Sequence, residues 1–188
     1  MLPFQRIAIF SPELTFHRPW ETMSPAEAAG AVRSWADISL TKGADAWYLR
    51  WRDEAGMAML MEALASYDTV KLLPRILSHL GSAKDGVHHS SKELWDDPGG
   101  EGLVRGCSCH NIADLDQADM EGMDYAFYSP IFPTETHPGA MPQGLEGLAQ
   151  ACHVSAIPIF ALGGVISANE QACIDAGAHG IAGIRMFI

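Results

Sequence analysis

The sequence predicts an α/β protein of the (β/α)8, or TIM-barrel, class. Three observations point there. Eight short apolar runs follow one another, separated by helical or loop segments. Helix-start and helix-stop signals recur between the runs. Polar residues gather just after the runs, where a barrel collects its chemistry. With 188 residues the expectation is one domain over residues 1–188, large enough for a sizeable core. Only four residues follow the eighth run, so the last helix should be reduced or missing. An open, doubly wound sheet is the alternative arrangement of the same units.

In chain order, Arg6 to Phe10 is the first strand, and Ser11 to Met23, with Pro12 and Pro19, is a loop. Ser24-Pro-Ala-Glu27 has the form of a capping box with proline at the first helical position. Its helix should stop at Lys42-Gly43. Ala46 to Arg52 is the second strand. Alternation sends Trp47, Leu49 and Trp51 one way and Tyr48, Arg50 and Arg52 the other. In a barrel the second set lines the interior near its open end. Two arginines and a phenol there need an anion or acidic partners; otherwise this is an edge strand with a solvated basic face. A helix over residues 56–67 precedes a third strand, Thr69 to Leu73, ended by Pro74. Arg75 to Leu80 is a short helical piece, and Asp85 to His89 the fourth strand. A turn or short helix over Ser90 to Trp95 and a turn over Asp96 to Gly100 lead to the fifth strand, Gly102 to Cys107. Asn111 caps a helix that Gly122 ends. Asp124 to Tyr128 is the sixth strand.

Next comes a long loop with four prolines. Loops of that length in compact domains usually carry function or are disordered, and proline makes this one stiff. A helix over Leu145 to Cys152, a seventh strand over Ile157 to Leu162 and Gly163-Gly164 follow. Ser167 to Glu170 resembles a second capping box, whose helix stops at Gly177. Gly180 to Ile184 is the eighth strand.

A net charge of −11 argues against a nucleic-acid partner, which needs a basic footprint. It leaves room for a phosphorylated small molecule, for which a few arginines in one cleft suffice. No apolar run reaches membrane-spanning length and no secretory leader is evident, so the expectation is a cytoplasmic protein with reduced thiols. Cys107-Ser-Cys109-His110 is spaced more tightly than common zinc pairs. The polar residues after the strands are Arg50 and Arg52; His88, His89 and Glu93; Ser108 and His110; Thr134, Thr136 and His137; Gly163 and Gly164; and Arg185. Glycines ahead of a capped helix can aim backbone N–H groups at phosphate. A reduced last helix would bare part of the barrel wall, which a homodimer could cover.

Several of these segments resemble the thiamine phosphate synthase family, TenI-like relatives included. They are Gly106-Cys-Ser108-Cys-His110, the run from Asp124 through Pro133 to Gly139, and Pro142 to Leu148. Ile157 to Val165 and Ala176 to Ala182 continue the likeness. Upstream, Asp85-Gly-Val-His88 fits, and Tyr48-Leu-Arg50-Trp-Arg52 stands where the family has a glutamine, an arginine and a lysine. The resemblance implies a barrel that couples a hydroxymethylpyrimidine diphosphate to a thiazole phosphate with loss of diphosphate. The alternatives within it are a TenI-like thiazole phosphate tautomerase and a non-catalytic, phosphate-binding regulatory barrel.

On that resemblance Arg50, Arg52, Ser108 and His137 would be catalytic. Tyr48, His88, His110, Thr134, Thr136, Gly139, Gly163, Gly164 and Arg185 would bind substrate. Magnesium is the implied cofactor. The family's first magnesium carboxylate has no counterpart in Leu73-Pro74-Arg75, where Arg75 could supply the lost charge, and Glu93 is nearest to the second. The loop lysine of the family is His137 here.

Overall fold

A computed structural model describes residues 2–16, 18–96, 104–135 and 139–188. Eight parallel strands close into a barrel in sequence order: β1 (Arg6–Phe10), β2 (Ala46–Leu49), β3 (Val70–Pro74), β4 (Gly86–His89), β5 (Arg105–Cys109), β6 (Tyr125–Tyr128), β7 (Ile159–Ala161) and β8 (Gly180–Gly183). β8 pairs back onto β1 through Arg6 opposite Ile181. The open-sheet alternative is thereby excluded. The helices are α1 (Pro12–Thr15), α2 (Pro25–Thr41), α3 (Glu54–Ala63), α4 (Ser91–Asp96), α5 (Ile112–Met120), α6 (Gly144–Val154) and α7 (Glu170–Asp175).

The helix signals act largely as read. Ser24 and Glu27 form a reciprocal capping box, Pro25 opens α2, and Gly43 turns the chain with φ +85° after it. Asn111 accepts from the Asp114 N–H at the start of α5. Two signals act differently. α3 begins earlier, because the Asp53 carboxylate accepts from the Gly56 N–H at 2.6 Å. The second capping box does not form. Asn169 occupies the N-cap of α7, Ile166 N donates to its side-chain oxygen, and Glu170 pairs with Arg6 instead.

The segment between β1 and α2, expected as loop, holds α1 and a 3-10 turn over Trp20–Thr22. A 3-10 turn, Arg185–Phe187, follows β8. It seats Phe187 in the core, as the expected reduction of the last helix allows. A groove of about 720 Å³ runs along α2 between Leu14, Trp35, Ile38 and Ile188.

Most strand boundaries shift by a residue or two, and two shifts bear on the site. β2 stops at Leu49 rather than Arg52. Arg50 N donates to Tyr48 O and Trp51 N to Leu49 O, so the chain turns at once. Alternation therefore fails beyond Arg50, and Arg52 is exposed rather than inside the barrel. β5 extends through Ser108 and Cys109, so Ser108 is a strand residue aligned with Phe127. The expected start of that strand at Gly102 and most of the turn before it lie outside the described residues.

Side chains sort into two shells. Those pointing outward, such as Trp47, Leu49, Cys107, Cys109, Ala126 and Ile181, pack beneath the helices. Those pointing inward fill the barrel: Phe4, Ile7, Ile9, Leu72, Tyr125, Phe127 and Phe160 are buried there, with Tyr48 beside them. The rings meet edge to face or tilted, Phe4 to Tyr125 at 6.0 Å and Tyr125 to Phe160 at 5.6 Å between centroids. Each such side chain contributes about 1.5–3 kcal/mol by leaving water. The filling depends on Gly106. A Cβ there would lie 2.0 Å from the Tyr125 ring.

Gly106→Ala should destabilise the protein by about 1–3 kcal/mol through overpacking. Urea unfolding of the variant reads this as a lower midpoint with an unchanged slope.

Candidate functional site

The C-terminal mouth of the barrel is built on the inner aromatic layer. His88, 1% exposed, lies on β4 opposite Gly106. It is stacked between Tyr48 and Phe127, with ring centroids at 4.4 and 4.3 Å. Its Nδ1 lies 2.9 Å from the Tyr125 hydroxyl and its Nε2 lies 2.9 Å from Ser108 Oγ. Burial, with the charge of neighbouring His89 adding to it, pulls the His88 pKa down to about 3. The ring is therefore neutral at pH 7. Both nitrogens are engaged inside the protein, which corrects the reading of His88 as a residue that touches substrate.

Tyr48 is the next floor residue. Burial pushes its phenol up to about 12. Arg50 and Arg52 pull against that shift and Glu93 adds to it, so all three charges act on one space. Arg50 is half-buried, and its guanidinium donates to Ser11 Oγ at 3.3 Å. Ser11 donates to Glu13 at 2.5 Å. That hydrogen bond is the main reason the Glu13 carboxyl sits below its usual range, and Arg50 also lowers it. Sequence reading missed Ser11 and Glu13. The segment after the first strand looks like plain loop, and its only mark is an acidic residue in the first turn behind Pro12.

His110 sits at the end of β5, exposed. Its Nδ1 lies 2.9 Å from the Ser129 carbonyl oxygen and 3.3 Å from Ser129 Oγ. The closer oxygen can only accept, so that contact favours the proton on Nδ1, which in the neutral ring leaves Nε2 as an acceptor. Gln143 donates to the His110 carbonyl at 2.8 Å, tying this strand end to the loop after β6.

That loop is shaped by contact with the turn after β7. Ile131 N donates to Leu162 O and Phe132 N to Gly163 O, both at 2.9 Å. Gly163 and Gly164 have φ of +89° and +68°. A Cβ on either would strike Pro130 or the Pro133 carbonyl and Phe132. These glycines are thus needed for backbone conformation and for close approach of the loop. Neither of their N–H groups donates to another group among the described residues. Thr134 is half-buried on this loop and Gly139 is exposed, while Thr136 and His137 lie outside the described residues. Arg185 reaches the loop from the other side and pairs with Glu135 at 2.8 Å. That exposed pair partly neutralises the charge expected for phosphate, though such pairs are worth only ~0–1 kcal/mol.

The one carboxylate that the resemblance offers magnesium, Glu93, is already partly engaged. One Glu93 carboxylate oxygen accepts from Ser90 N and Ser90 Oγ, both at 2.7 Å, in the cap of α4. Among the described residues no three His, Cys, Asp or Glu side chains come together to hold a metal. Cys107 and Cys109 are buried outside the barrel, their sulfurs 3.6 Å apart, beneath the helices. Among the described residues no helix is long and apolar enough to cross a membrane.

The model of the family described as thiamine monophosphate synthase matches residues 79–187. This chain belongs to that family. A thiamine-phosphate synthase of Coprothermobacter proteolyticus is 29% identical over 172 residues, 84% of this chain and 80% of that protein. A thiamine-phosphate synthase of Chloroflexus aurantiacus is 49% identical over 79 residues, 41% of this chain and 36% of that protein. The chain spans less than half the length of several of the curated relatives it matches. A solved thiamine phosphate pyrophosphorylase from Pyrococcus furiosus superposes with a TM-score of 0.67, covering 96% of this chain and 85% of that one. At 21% identity that likeness speaks for the fold. Within the family match lie His88, Glu93, Ser108, His110, the loop after β6 and the Gly163-Gly164 turn. Tyr48 and Arg50 lie before it.

The His88 environment predicts a pH effect on stability. A folded pKa of about 3 against 6.5 means the unfolded chain binds a proton in that window and the folded chain does not. Stability should thus fall as pH drops below 6.5, by up to about 1.4 kcal/mol per pH unit from this group. Urea unfolding between pH 7 and 5 should show that slope, and His88→Gln should flatten it.

Proposed function

We propose that this barrel couples hydroxymethylpyrimidine diphosphate to a thiazole phosphate, forming thiamine phosphate. The bond between the pyrimidine methylene and the diphosphate oxygen breaks, and diphosphate leaves with the bonding pair. The cationic methylene is captured by the thiazole nitrogen. Family membership supports this reading. The observation that carries it is the Arg50 guanidinium, half-buried at the mouth beside Tyr48 and steadied by Ser11. A permanent cation at the mouth, half-buried and already oriented, suits an anion.

In this reading Arg50 binds the diphosphate and stabilises the charge that develops on it as it departs. Arg52, exposed just beyond, adds charge at the rim. Ser108 donates a hydrogen bond to the same group, which Thr134 and, by resemblance, Thr136 and His137 also bind. The unengaged amides of Gly163 and Gly164 hold the thiazole phosphate. Arg185 exchanges Glu135 for that phosphate. Tyr48, with its pKa raised to about 12, stays protonated and forms the floor. The chain's own cations carry charge chemistry here.

One observation favours a second reading. His110 has its proton favoured on Nδ1 and Nε2 available at the mouth, which suits a base acting on a thiazole phosphate. The two readings separate by experiment. The coupling reaction predicts thiamine phosphate from both substrates. The second predicts isomerisation of a thiazole phosphate alone, with a pH–rate profile that disappears in His110→Gln.

Arg50→Ala should weaken inorganic pyrophosphate binding roughly ten- to a hundredfold, the range for a hydrogen bond to a charged group. Titration calorimetry measures it. Unchanged affinity would remove Arg50 from the site.

A further inference from the structure

The interior holds a chain of three hydrogen-bonding groups that is more tightly determined than packing requires. Tyr125, 0% exposed, has its ring packed among Phe4, Phe127 and Phe160. Among the described residues its hydroxyl has a single partner, His88 Nδ1. His88 in turn has Ser108 on Nε2. A neutral imidazole carries one proton, so one nitrogen donates and the other accepts. If Nδ1 held the proton, it would donate to the phenol oxygen. The buried Tyr125 proton would then have no acceptor among the described residues, which carries the full desolvation penalty of an unpaired donor. If Tyr125 donates to Nδ1, nothing is stranded, and Nε2–H donates to Ser108 Oγ. The second arrangement is favoured by that whole penalty.

We infer that Tyr125 and His88 form a relay that fixes Ser108 Oγ as an acceptor from His88, so that the serine's own proton is turned into the barrel mouth as a donor to an oxyanion. The relay rests on the reading that a diphosphate occupies the mouth. Ser108 lies one inward position beyond Gly106, nearer the C-terminal strand ends than His88, and is half-buried. Its hydroxyl has no other partner among the described residues. Left alone, a serine hydroxyl rotates and donates to whichever acceptor is nearest. With its oxygen already receiving a proton from His88, it cannot give its own proton back to that ring. The donor is therefore oriented before the ligand arrives, and no reorganisation accompanies binding. Gly106 is part of the device, because it clears the space in which the Tyr125 ring lies under His88. Tyr125 and His88 touch no ligand; they are positioning residues for Ser108.

The test has two readouts. Long-range 1H–15N correlation spectra of ligand-free, histidine-labelled protein, with His88 assigned by the signal lost in His88→Gln, report its tautomer directly. A proton on Nε2, with Nδ1 behaving as an unprotonated acceptor, is expected; a proton on Nδ1 overturns the relay. The second readout is inorganic pyrophosphate affinity in a cycle of Tyr125→Phe and Ser108→Ala. Tyr125→Phe keeps the ring and removes only the donor. It should weaken binding roughly three- to tenfold when Ser108 is present, and cause no further loss when Ser108 is alanine. An equal loss in both backgrounds would make Tyr125 merely structural and overturn the proposal. The tautomer is read on the free protein, so it stands apart from turnover. Absence of thiamine phosphate formation with an Nε2 proton present would count against the coupling reaction and leave the relay intact.

Discussion

The mouth of this barrel depends on the rings stacked inside it. Eight parallel strands enclose a space that must be filled, and here Phe4, Tyr125, Phe160, Phe127, Tyr48 and His88 fill it. A histidine placed in such a stack is expensive to charge, so its pKa falls to about 3 and it works as a neutral hydrogen-bonding group. Its two nitrogens connect the buried phenol of Tyr125 to the open hydroxyl of Ser108. One packing constraint thus sets both the stability of the interior and the orientation of a polar group at the surface.

The same economy of space governs the far side of the mouth. The loop after β6 hydrogen-bonds to the turn after β7 and leaves no room for a Cβ on Gly163 or Gly164. Those glycines serve the loop first, and their amides donate to no other group among the described residues. Around the rim, cations and carboxylates alternate. Arg50 stands near Ser11 and Glu13, Arg185 meets Glu135, and Glu93 is drawn into the cap of α4. An acidic protein can therefore still offer an anion a site built from a few arginines.

Much of this was legible in the residues. Period-2 alternation over Ala46 to Arg50 and the caps at Ser24 and Asn111 come from local rules, and the barrel follows from their order. What stayed hidden depended on distance in sequence. Nothing in Asp85-Gly-Val-His88 signals that the histidine will meet Tyr125, 37 residues later. Gly106-Cys-Ser-Cys carries too little bulk to announce a strand, so Ser108 was read as lying after β5 when it lies on it. Arg52 was placed inside because alternation says nothing about where a strand stops, and the turn at Leu49 is a backbone event. Glu93 stands nearest to a family metal ligand by resemblance, whereas Ser90, three residues before it, engages one of its carboxylate oxygens in a helix cap.

The central claim is that a diphosphate sits in the mouth between the Arg50 guanidinium and a Ser108 hydroxyl already oriented by His88. A crystal structure of the protein with inorganic pyrophosphate tests it most directly. The account predicts pyrophosphate oxygens within hydrogen-bonding distance of both Arg50 and Ser108 Oγ, with the Tyr125–His88–Ser108 contacts unchanged. Pyrophosphate bound away from either residue would contradict it.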